Sequence, residues 1–128
     1  MRHCLSSIAM ATTAISLLSA CAFGPGHPRT WVYGVVNESG ALPVEGAAVS
    51  LYSGKTVTSK VGCFKLQLSS ALPLTLSATA QGYKAVEVPA KFGFYRVVIE
   101  LEKPGSKHDS SILWHEVPQA EVQNATCD

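Results

Sequence analysis

The sequence has little charge and no surplus of either sign. Ten Lys and Arg stand against nine Asp and Glu among 128 residues, and the formal net charge is +1. With no basic excess to neutralise a run of phosphates, nucleic acid is not an expected partner. Long apolar runs are equally scarce. The most extended one, Leu5 to Ala20, is interrupted by Ser and Thr, and it falls short of the roughly 20 apolar residues that a membrane-spanning helix needs. Catalytic and metal motifs are missing too. Gly54-Lys55-Thr56 has the end of a phosphate loop, but the glycine required at its start is Val49. His27, His108 and His115 fit no zinc spacing, and no GxSxG elbow surrounds any serine. No metal, cofactor or catalytic residue is assigned, and an enzyme is not expected.

What is present begins with Leu18-Ser19-Ala20-Cys21, which closes the apolar run that follows Arg2 and His3. A basic start, a short apolar stretch and small residues before a cut describe a secretory signal peptide. A cysteine directly after the cut can accept lipid on its sulfur, and afterwards on its new amino terminus. The stretch closely resembles the signal peptides of bacterial lipoproteins, with residues 1–20 as leader and Cys21 as the lipidated residue. The alternative is an ordinary signal peptide, with Cys21 a chance residue or part of a disulfide. By the sorting rule of Gram-negative lipoproteins, Ala22 in place of Asp implies the outer membrane, with the domain facing the periplasm unless it is exported to the cell surface. The usual triacylated cysteine meets the need of stable anchoring for more than one chain. The resemblance thus supplies the lipid bilayer as a partner and leaves room for an envelope protein or a glycan.

It also implies a fate for the four cysteines. Cys4 leaves with the leader and Cys21 is acylated. Cys63 and Cys127 are then expected either as a disulfide, suited to an oxidising compartment, or as two unpaired thiols. Cys63 shares the polar face of its segment with Lys65 and Gln67. A C-terminal tail crossing that face would bring Cys127 to Cys63 and shelter Trp114.

Residues 21–30 carry Gly24, Pro25, Gly26 and Pro28 and read as a flexible tether. From Trp31 onward the period is two. Trp31 to Asn37 is rich in β-branched and aromatic residues, and Pro43 to Gly46 reads as a turn or edge segment. Ala47 to Ser53, Thr56 to Lys60, Cys63 to Leu68, Leu74 to Ala80, Tyr83 to Val88 and Phe94 to Leu101 follow as short alternating segments. In the last of these Val97, Ile99 and Leu101 oppose Arg96 and Glu100. About seven short strands with one apolar face each predict an all-β, antiparallel sandwich of two sheets. The pattern predicts a domain over 31–103, an end to regular structure at Pro104-Gly105, and a tail over 104–128 without a helical stripe.

The order of short signals resembles the carboxypeptidase regulatory-like domain, a transthyretin-like β-sandwich. The residues that carry it are Val32-Tyr33-Gly34-Val35-Val36, Gly40, Pro43 to Leu51, Thr58, Gly62, Phe64, Leu74 to Ala78, and Gly82-Tyr83. Each has its own physical reading. Glycines permit turns that a Cβ resists, Pro43 presets its dihedral, and Phe64 and Tyr83 are large enough to pack beneath turns. One position departs from the pattern. The acidic or amide residue that often follows the threonine is Ser59 here, which implies a weaker bond from side chain to backbone. The resemblance implies a fold and a stabilising, spacing or binding role, and no peptidase activity.

The local cluster with most chemical interest is Lys91 to Arg96. Phe92, Phe94, Tyr95 and Arg96 are candidates for stacking on a sugar ring or clasping a partner. The competing reading makes the aromatics packing residues at one end of the sandwich. The acceptor patterns at Asn37 and Asn124 are expected to stay idle in a bacterial lipoprotein. The expected function is a membrane-anchored, non-enzymatic structural or interaction module. A carbohydrate or small-ligand binding module and an accessory subunit of an envelope assembly are the alternatives.

Overall fold

The computed structural model describes residues 29–39, 42–52, 54–69 and 74–127. The leader, Cys21 and the tether up to residue 28 lie outside the described residues. The described chain is all-β apart from one short helix. Its strands are β1 (Arg29–Glu38), β2 (Leu42–Pro43), β3 (Ala48–Leu51), β4 (Gly54–Val57), β5 (Cys63–Ser69), β6 (Leu74–Thr79), β7 (Val86–Ala90), β8 (Gly93–Leu101) and β9 (Ser111–Glu116), followed by α1 (Gln119–Asn124).

Two sheets form. In the first, β1 is flanked on one edge by β5, antiparallel over Arg29–Val35, and by β2 at Asn37 and Glu38. Its other edge pairs with β8, and β9 completes the sheet against β8. The second sheet runs β4-β3-β6-β7, antiparallel throughout. The alternation read from the sequence delivers one shared core. Val32, Val36, Phe64, Leu66, Val97, Ile99 and Leu101 of the first sheet meet Val49, Leu51, Leu74, Leu76 and Ala78 of the second. Each fully buried Val, Leu, Ile or Phe among them contributes roughly 1.5–3 kcal/mol of transfer free energy.

Strand ends are shifted, with Arg29 and Thr30 of the expected tether lying in β1, β4 at Gly54–Val57 against Thr56 to Lys60, and β7 at Val86–Ala90 against Tyr83 to Val88. The structure departs further from the sequence reading in three places. The β1–β8 pair is parallel, from Thr30 opposite Gly93 to Glu38 opposite Leu101. Alternation reports which face a residue takes and carries no information on strand direction. Parallel strands favour cover on both faces, and here α1 rests against the outer side of β1 and β8. Secondly, regular structure continues past Pro104-Gly105. Ile112, Leu113 and Trp114 are consecutive apolar residues, so period two is hidden in β9, yet Trp114 pairs with Val97 and Ile112 with Ile99 on the inner face. Thirdly, α1 occupies the segment expected to lack a helix. It has a single buried residue, Val122, which is too little for a stripe to be visible.

Turns are fixed by named contacts. The buried Thr58 hydroxyl accepts from Ala47 N–H at 2.8 Å and donates to Val44 C=O at 2.6 Å, which ties the β2–β3 corner to the end of β4. Ser59 accepts from Cys63 N–H at 3.2 Å. Gly62 has φ +76°, and a Cβ there would lie 2.6 Å from the Val36 carbonyl oxygen. Pro89 stands in β7, an edge strand, the place in a sheet where proline is tolerated.

Candidate functional site

Alternation decides what the Phe92–Arg96 cluster can do. Tyr95 shares the inner face of β8 with Val97 and Ile99, and it packs against the core. Phe94 and Arg96 point to the outer face, while Phe92 sits exposed in the β7–β8 turn. The four candidates therefore do not form one patch. Adjacent residues in a strand face opposite ways, and that rule was available from the sequence.

Three separate groupings result. On the outer face, Phe94 meets Trp31 of β1 edge to face, with ring centroids 5.4 Å apart. The Arg29 guanidinium lies 5.2 Å from the Trp31 centroid and 5.6 Å from that of Phe94. This distance suits a cation–π contact with each ring. On the inner face, Tyr95 meets Trp114 of β9 edge to face at 5.1 Å. The Tyr95 hydroxyl donates to Phe92 C=O at 3.2 Å. These two rings, with Pro89, Lys91 and Glu116, line a cleft of about 390 Å³ between the edge strands β7 and β9. Burial, and after it the Glu116 carboxylate, push the Tyr95 phenol above its ordinary pKa. It remains a neutral donor beside one cation and one anion.

The third grouping is the C-terminal clasp on the outer face. Cys63 and Cys127 form a disulfide with Cα atoms 5.4 Å apart. The Lys65 ammonium donates to the carbonyls of Gln123 and Ala125, each at 2.9 Å. Tyr33 donates a short hydrogen bond to the Glu121 carboxylate, and Arg96 stands 3.6 Å from the same carboxylate. That hydrogen bond is the first cause that raises the Tyr33 pKa, with burial second. Val122 is completely buried. The tail thus crosses the Cys63–Lys65 face as expected and joins the two cysteines. It does not shelter Trp114, which turns inward to the cleft.

Arg96 accordingly serves the clasp, Phe94 the Arg29–Trp31 cluster, and Tyr95 the cleft. Lys91, which opens the expected cluster, lines the cleft, whereas Arg29, Trp114, Glu116 and Glu121 were missed as members of these groupings. They come from segments far apart in sequence, so no local spacing marks them. Among the described residues, no three His, Cys, Asp or Glu side chains gather in a way that could hold a metal ion. No helix of the described residues is long and apolar enough to cross a membrane.

No family model matches this chain, and no curated protein does.

Proposed function

We propose that the chain is a lipid-anchored, non-enzymatic module of the cell envelope, attached through Cys21 and built on a transthyretin-like sandwich of the carboxypeptidase regulatory-like kind. The observation that carries this reading is the Cys63–Cys127 disulfide. It suits an exported protein, and it leaves Cys21 as the cysteine next to the predicted cut. Two sheets around one core, in a domain of about 100 residues, support the sandwich part of the reading. The resemblance to lipoprotein leaders supports an outer-membrane position facing the periplasm, and an envelope protein as partner.

The test is fractionation combined with co-purification. Wild-type chain partitions with membranes and, after detergent extraction, retains an envelope partner; Cys21→Ser loses the membrane partitioning. Equal membrane partitioning of the two chains would contradict the anchor. A second reading is favoured by the cleft. Two rings at right angles, a phenol oxygen that can accept while its proton goes to Phe92 C=O, a Lys and a Glu can hold a polar ring-shaped ligand such as a sugar. Glycan binding that is lost in Trp114→Ala with retained fold would support it. Unchanged binding would refute it.

A further inference from the structure

The register of the two sheets gathers one set of residues at a single end of the molecule. Thr30 lies opposite Gly93, Arg29 opposite Ser69, and Leu74 opposite Ala90. The start of β1, the β7–β8 turn and the entry to β6 therefore share this end. Leu51 lies opposite Leu76, so Tyr52, the next residue, points the same way along the second sheet. The end carries Tyr52 and Phe92, with relative exposures of 66% and 45%. It also carries the exposed cations Arg29 and Lys91, and the half-buried Trp31 and Phe94 beneath Arg29. Glu116 is the carboxylate at this end; Lys55 and Glu87 lie one row further in and on the same row as each other.

The described chain also begins here, at Arg29. Eight peptide steps separate Cys21 from Arg29, and at roughly 3.6 Å each they reach about 29 Å at full stretch. β1 from Arg29 to Glu38 is itself about 30 Å long. For the opposite end to reach the bilayer, the whole tether would have to run fully extended along the sandwich. The Arg29 end reaches it with slack. Aromatic rings flanked by Arg and Lys are the chemistry that partitions to the headgroup layer, rings towards the acyl boundary and cations on phosphate.

We propose that this tip, comprising Arg29, Trp31, Tyr52, Lys91, Phe92 and Phe94, is a docking surface for phospholipid headgroups that seats the sandwich on the membrane in one orientation. The proposal rests on the lipid anchor at Cys21. The anchor supplies the residence time, and the tip sets the orientation. A cation near an anionic lipid surface shifts such an equilibrium by about fivefold, so Arg29 and Lys91 together favour the seated state by roughly 25-fold.

The test uses full-length protein processed in cells, extracted with detergent and reconstituted into phosphatidylethanolamine–phosphatidylglycerol vesicles. The vesicles carry a quencher at headgroup level. Trp114→Phe leaves Trp31 as the fluorescent reporter. A far-end reporter is Leu42→Trp combined with Trp31→Phe and Trp114→Phe. Trp31 is expected to be strongly quenched and the far-end reporter little affected. Adding Arg29→Glu and Lys91→Glu should reverse most of the Trp31 quenching while the protein still pellets with the vesicles. Hydrogen exchange on the unmutated protein gives a readout independent of these variants: slower exchange around Phe92 in vesicles than in detergent, with no change around Leu42. Equal quenching at both ends, quenching untouched by the charge reversals, or no protection at Phe92 would overturn the seat. A mature chain without lipid mass would instead overturn the anchor on which the seat rests, and that result is read before any quencher is added.

Discussion

Replacing both Cys63 and Cys127 with serine isolates what the clasp contributes to the fold. The two residues are 64 positions apart, and closing a loop of that length in the unfolded chain costs about 4 kcal/mol on the chain-entropy relation. Small domains are stable by only about 5–15 kcal/mol, so the loss is a large fraction of the total. At roughly 4–8 °C per kcal/mol for a domain near 100 residues, the melting temperature should fall by about 20 °C. The native state itself should change little. Lys65 still holds the carbonyls of Gln123 and Ala125, Val122 is still buried, and Glu121 still takes the Tyr33 hydrogen bond. The effect therefore resides mainly in the unfolded ensemble, which becomes more expanded. Urea denaturation reads both consequences: the midpoint drops, and the slope rises because more surface is exposed on unfolding. A double variant within about 1 kcal/mol of wild type, with an unchanged slope, would refute the reasoning.

Three further outcomes follow from individual contacts. Thr58→Val keeps the shape of a buried side chain but strands the Ala47 N–H and the Val44 carbonyl; chemical denaturation should register a loss of about 2–3 kcal/mol. Val122→Ser removes the apolar anchor of α1, so hydrogen exchange should quicken over Gln119–Asn124 while β1 and β8 stay protected. The Tyr33 phenol holds its proton more tightly in the folded state than at its ordinary value of 10.0, and Tyr83, bonded to Glu38, does the same. Their contribution is intact below that value and is lost as pH rises through the raised folded values. Denaturation midpoints measured across this alkaline range should fall less steeply in Tyr33→Phe than in wild type; identical slopes would contradict the assignment.

Much of the fold was legible because the core-facing residues alternate cleanly. Val97, Ile99 and Leu101, or Leu74, Leu76 and Ala78, mark their inner face without help from partners. The parallel direction of β8 against β1 was not legible, since a period of two is the same in both directions. β9 was hidden by its run Ile112-Leu113-Trp114, in which the exposed Leu113 breaks the pattern. α1 was hidden because a six-residue helix with one buried side chain has no periodicity to read. The clasp was half visible: the face shared by Cys63 and Lys65 and the late cysteine were in the sequence, while Glu121 and Val122 acquire meaning only once the tail is laid on β1 and β8. The aromatic candidates were grouped by nearness along the chain. Alternation divides them between a cleft with Trp114 and an outer-face cluster with Trp31, and both tryptophans lie outside the stretch that drew attention.

The most direct measurement is the intact mass of the mature protein recovered from membranes, taken with and without reduction. The account predicts loss of residues 1–20, a lipid increment confined to a peptide that begins at Cys21, and a Cys63–Cys127 pair opened only by reductant. A mature chain that carries no lipid at Cys21, or that has Cys21 paired with another cysteine, would contradict it.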